Sequence, residues 1–109
     1  MILLYSLFMK KDLSICKLND VYGKLLTTKQ TEMIRRFYDD DFSLGEIAEN
    51  EGITRQAAHD AINKGVTALK NYEAALKLGL VWDRLEAIDQ SMSKETIIAE
   101  IKNILDLRE

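Results

Sequence analysis

Apolar side chains recur at three- and four-residue steps along almost the whole chain, with polar residues between them, which is the period of amphipathic helices. Leu13, Cys16, Leu18, Val21, Tyr22 and Leu25 mark a first helix over about 10–25. The chain breaks at LLTTKQ, where Thr27 and Gln30 have the spacing of a capping box. A second helix then runs to about Tyr38, burying Met33, Ile34 and Phe37 and showing Lys29, Glu32, Arg35 and Arg36. After the acidic link Asp39-Asp40-Asp41, whose charges suit a helix amino terminus, Ser43 and Glu46 repeat the capping spacing, so a third helix covers 44–51. Gly52 turns the chain, and Thr54 caps a fourth helix. Its stripe of Ala58, Ile62, Val66, Leu69 and Leu76 continues to about Leu78, and Gly79 is the first expected terminator. A shorter helix with Val81, Trp82, Leu85 and Ile88 follows, then the link 90–93 and a last helix over 94–107. That last helix is apolar over a wide face: Ile97, Ile98, Ile101, Ile104, Leu105 and Leu107. Either core packing or a dimer contact would use it.

Composition sharpens this picture. The 109 residues contain no proline and five glycines, and no stretch alternates as a strand does, so the fold class is all-α. The expected organisation is a single domain over 1–109, with 79–109 a carboxy-terminal helical extension and candidate dimerisation element. Two readings remain for the apolar amino terminus MILLYSLFMKKD. It either packs as an extra turn, or translation starts at Met9. It lacks the preceding basic residues and the cleavage site of an export signal, so the expected location is cytoplasmic.

The stretch FSLGEIAENEGITRQAAHDAINK, residues 42–64, meets the demands of a helix-turn-helix spanning 43–64. Ala48 is small where the second helix crosses, Gly52 tolerates left-handed geometry, and Ile53 follows as a buried aliphatic residue. Thr54 caps the second helix, Ala58 and Ile62 point back at the first, and Leu44 and Ile47 complete the shared core. The outer face then carries Arg55, Gln56, His59, Asp60, Asn63 and Lys64. Arg, Gln and Asn can make paired hydrogen bonds to base edges, so Arg55, Gln56, His59, Asn63 and Lys64 are the candidate nucleic-acid-binding residues. The plainer alternative is a solvated face with an i,i+4 Asp60–Lys64 pair.

Charge pulls against that reading. Residues 39–62 hold one arginine against seven acids, whereas residues 1–38 hold seven bases against three acids. Phosphate neutralisation supplies most non-specific affinity, so basic surface must come from Lys29, Arg35, Arg36, Lys64 and Lys70, or from a second subunit. Other chemistry has little to work with. One histidine, the single Cys16 and the lack of a glycine-rich phosphate loop or a metal-ligand cluster point to no enzyme, no metal and no cofactor. Cys16 reads as a buried, inert thiol.

The capped long helix after GITRQ resembles region 4 of bacterial sigma factors. A closer resemblance is to the YlxM-type family of small helix-turn-helix proteins, carried by YGKLLTTKQ (22–30), FYDDDFSLGEIAENEGITRQAAHDAINK (37–64) and LKNYEAALKL (69–78). These stretches cover roughly half the chain. Residues 79–109 match only in length and helical character. The resemblance implies a nucleic-acid-binding regulatory protein without enzymatic activity. It also implies a link to the signal recognition particle pathway, because family members lie beside genes of that pathway. It supports Arg55, Gln56, Asp60, Lys64 and the capping Ser43. Two positions depart from the pattern: family members often carry an aromatic residue in place of His59 and a second base in place of Gly65. The expected partners are DNA or RNA and signal recognition particle components, with the protein a homodimer. The alternative is a protein-interaction module that docks on targeting components through its acidic surface, using Asp39, Asp40, Asp41 and Glu49.

Overall fold

The computed structural model describes residues 12–107, and these are helical with no strand. Six helices follow in order: α1 (Leu13–Tyr22), α2 (Thr28–Tyr38), α3 (Leu44–Glu51), α4 (Arg55–Leu76), α5 (Leu78–Glu86) and α6 (Lys94–Asp106), with a short 3-10 turn at Gly23–Leu25. Both readings of the amino terminus fall on residues outside those described. The chain divides into two compact units, one ending at Lys70 and the other beginning at Asn71. No helix among the described residues is long and apolar enough to cross a membrane.

The first unit holds most of the buried apolar side chains: Ile15, Tyr22, Met33, Ile34, Ile47, Ala48, Ala58, Ile62, Val66 and Leu69. Its first helix departs from the expected stripe. Leu13 and Leu25 are exposed, and the buried positions are Ile15, Asn19 and Tyr22. A polar residue therefore sits in the apolar stripe, and its bonding explains why. Asn19 Nδ2 donates to the Thr31 carbonyl at 3.2 Å, and the Thr31 hydroxyl donates to the Gly23 carbonyl at 2.8 Å. These bonds tie α1 and its 3-10 turn to α2. Gly23 leaves room for this arrangement, since a Cβ would lie tightly at 3.0 Å from Asn19 Oδ1 and 3.2 Å from Thr31 Cγ2. The helix itself starts at Leu13 under an Asp12 cap. The Asp12 carboxylate accepts from the Ser14 hydroxyl and amide, and these bonds hold it below the usual carboxylate range.

α2 and α3 begin as the capping residues dictate. Thr27 Oγ1 accepts from the Gln30 amide at 3.1 Å while Gln30 Oε1 accepts from the Thr27 amide at 3.3 Å. Ser43 and Glu46 make the same reciprocal pair, both at 3.0 Å. Each box satisfies amides that a helix start leaves without carbonyl partners.

Gly65 on α4 lies close against the side chain of Ile34. It is buried, and a Cβ there would lie 2.7 Å from Ile34 Cδ1, itself without exposed surface. The Ile34 side chain of α2 thus fills the space beside Gly65 on α4.

In the second unit the expected terminator is also corrected. α4 ends at Leu76, and Lys77, not Gly79, takes the left-handed conformation at φ 57°. Left-handed backbone costs a non-glycine residue about 1–2 kcal/mol, so something must hold it. Glu73, one turn back, supplies the hold. Its two carboxylate oxygens accept from the amides of Gly79 at 2.9 Å and Leu80 at 3.1 Å. Lys77 Nζ meanwhile donates to the Leu107 carbonyl at 2.9 Å. Gly79 lies inside α5, close against the Glu73 carboxylate. Arg84 Nε reaches Glu100 Oε1 at 3.1 Å and links α5 to α6, whose first turn is capped by Ser93 accepting from the Thr96 amide.

Two outcomes follow. Gly65→Leu forces a side chain against Ile34 and Leu26, so urea unfolding should show a loss of about 2–3 kcal/mol, beyond the roughly 1 kcal/mol that better helix propensity returns. Cys16 is half-buried, and burial, then a hydrogen bond to Asp39 and the charges of Asp39 and Asp20, push its thiol up to about 11. The folded protein should therefore react with a thiol reagent at pH 8 about a hundredfold more slowly than the unfolded chain, since the thiolate is the reactive form.

Candidate nucleic-acid interface

The turn between α3 and α4 is built by main-chain bonding. Gly52 sits at φ 68°, and its amide bonds back to the carbonyls of Ala48 and Glu49. The Ile53 amide reaches the Ala48 carbonyl at 3.0 Å, the long bond of a Schellman closure. Ile53 was expected to be buried, but it is 37% exposed. The backbone bonds close this turn, and the side chain only half covers it. Thr54 Oγ1 then accepts from the Ala57 amide at 3.0 Å and starts α4.

Buried Ile47 and Ala48 on α3 and buried Ala58 and Ile62 on α4 fix which side of α4 faces inward. The five candidate residues are all exposed on the rest of its first half: Arg55, Gln56, His59, Asn63 and Lys64. Steps of four place Arg55, His59 and Asn63 in one row and Gln56, Asp60 and Lys64 in the next. The rows are internally bonded. Gln56 Nε2 donates to Asp60 Oδ1 at 2.9 Å, so Asp60 takes Gln56 rather than the expected Lys64. Asn63 Nδ2 lies 3.3–3.4 Å from the two ring nitrogens of His59, and His59 Nδ1 is 3.6 Å from Asp60. These exposed contacts cost little to exchange for a ligand, and they hold the amide groups of Gln56 and Asn63 beside one another's rows.

The basic surface is smaller than the sequence count suggests. Arg36 Nη1 binds Glu51 Oε2 at 2.9 Å, and Lys29 Nζ lies 3.5 Å from Glu51 Oε1. Glu51 is largely covered, so this bond ties α2 to the end of α3 and takes Arg36 out of the set expected to meet phosphate. No sequence signal reveals it, because the partners lie 15 positions apart. Lys24, Arg35, Arg55, Lys64 and Lys70 are exposed. A cleft of about 430 Å³ runs along α1 and α2, lined by Asn19, Asp20, Lys24, Thr31, Glu32 and Arg35 among others, and it includes none of the five candidate residues. Among the described residues, no three His, Cys, Asp or Glu side chains cluster as a metal site would require.

Residues 9–107 match the family model described as "Putative helix-turn-helix protein, YlxM / p13 like". A UPF0122 protein of Desulforamulus reducens is 43% identical over 99 residues, covering 90% of this chain and 76% of the relative. A UPF0122 protein of Clostridium acetobutylicum is 40% identical over 94 residues, covering 86% of this chain and 81% of the relative. One from Symbiobacterium thermophilum is 44% identical over 85 residues, covering 75% and 78% respectively. Such a motif points to nucleic-acid binding. The chain belongs to the YlxM/p13-like family of helix-turn-helix proteins.

Proposed function

We propose that this protein is a non-enzymatic regulator that binds nucleic acid, DNA in the first place, through the exposed face of α4. Arg55 and Gln56 at the head of the helix fix register or read base edges, His59 and Asn63 extend the reading row, and Lys64 contacts phosphate. The observation that carries this reading is the exposure of all five side chains on the second helix of a family-typical helix-turn-helix. On this reading the protein works as a cytoplasmic homodimer with a regulatory role in the signal recognition particle pathway, the role that the family resemblance implies.

One observation favours a second reading. Asp39, Asp40, Asp41 and Glu49 are exposed beside the motif, while Arg36 is committed to Glu51. Such a surface suits a basic protein partner among the targeting components.

Fluorescence anisotropy against labelled genomic DNA and signal recognition particle RNA, at low and physiological salt, separates the two. Under the first reading, saturable binding persists at physiological salt and Arg55→Ala with Lys64→Ala weakens it more than tenfold. Lys64→Ala alone weakens binding equally on all sequences and lowers the salt slope by about 1. Unchanged affinity in the double variant, with helix content intact, sinks the assignment of this face. Binding to neither polymer leaves the acidic surface as the reading to pursue, with Asp39, Asp40 and Asp41→Asn as its variants.

A further inference from the structure

The second unit has little core of its own. Of the eleven exposed large apolar side chains among the described residues, eight fall in 71–107, where Ile104 is the one large apolar side chain that is buried. Six of the eight fall in two stripes. On α5, Leu78, Trp82 and Leu85 follow steps of four and three; on α6, Ile98, Ile101 and Leu105 follow steps of three and four. Each helix therefore presents one apolar stripe to solvent, the spacing of a seam that packs against another helix. The Arg84–Glu100 bond and the Lys77 bond to the Leu107 carbonyl hold this unit together without covering either stripe.

We infer that the α5 and α6 stripes are the surface on which a second copy of this chain docks. This deepens the homodimer part of the function proposed above by naming its surface. Area favours that occupant. The six side chains of the two stripes, at 43–59% exposure, leave on the order of 600 Å² per copy, against about 800 Å² per partner in a standard stable interface, to which the polar border adds. Charge favours it too. An isologous contact sets a patch against itself, so a border of one sign would repel its own copy. Here Lys94, Glu95 and Lys102 lie one turn from Ile98, all exposed, so the border carries both signs.

Sedimentation equilibrium over a hundredfold dilution, without nucleic acid, tests this on the full chain. The wild type should run at twice the chain mass. Ile98→Glu with Leu105→Glu on α6, and separately Trp82→Glu on α5, should each weaken self-association more than tenfold while far-UV circular dichroism stays unchanged. These residues are exposed, so the variants keep the unit's own packing. A wild type at single-chain mass throughout overturns the proposal, and Trp82 emission then reports whether the stripe is covered within one chain. A dimer indifferent to both variants overturns the choice of surface. Because the mass is read without nucleic acid, failure here leaves the reading of α4 standing.

Discussion

The fit of Gly65 on α4 against Ile34 on α2 constrains which face of α4 can turn inward. Ile34 has no exposed surface, and its Cδ1 occupies the space a side chain at 65 would need. The absence of a Cβ leaves room for the Ile34 side chain, and Ile62, Val66 and Leu69 are buried on the same face of α4. Once that face is fixed inward, Arg55, Gln56, His59, Asn63 and Lys64 are left outward by helical geometry alone. The placement of the candidate interface is thus a consequence of packing on the opposite side of the helix. A substitution in the core would move the interface without touching it.

Glu51 adds a second constraint, of a different kind. It accepts from Arg36 and sits beside Lys29, so one carboxylate at the carboxy end of α3 draws two cations of α2 toward the motif. A negative charge at a helix carboxy terminus opposes the macrodipole, and the Arg36 guanidinium offsets that cost. The pair is only partly covered, so its worth is modest and its effect is chiefly positional. What it removes from the phosphate-facing surface it returns as a tie between α2 and the end of α3.

The elements most legible in the sequence were those governed by residues a few positions apart. Ser43 with Glu46, Thr27 with Gln30, and Gly52 place helix ends correctly because a cap bonds within its own turn. What escaped were features made by distant or polar partners. Asn19 lies on the buried stripe of α1 because the Thr31 carbonyl, twelve residues on, accepts from it, and hydrophobic periodicity skips such a residue. Lys77 in a left-handed conformation defies the preference for glycine, and the Glu73 carboxylate that stabilises it is invisible to a search for terminators. The candidate residues were legible as a face, since they follow from the motif's register. Their bonding, Gln56 to Asp60 and Asn63 to His59, was not, because several i,i+4 partners compete and only geometry selects among them.

Acidity around the motif and apolarity in the second unit bear on one another. A single motif with one arginine among seven acids over 39–62 gains little from phosphate neutralisation. Two such motifs held in one assembly do not need much from each, because the second contact forms at the effective concentration set by the first. Linked sites gain 10² to 10⁴ in avidity, roughly, with no new contact at either. The gain comes from the cohesion of the assembly, which rests on apolar area and is insensitive to salt, whereas each phosphate contact weakens as salt rises. In the proposed dimer, then, a lack of positive charge at the motif suppresses binding by one copy more than binding by two. The surface that would look like a defect in a monomer acts as a filter in favour of the assembled form.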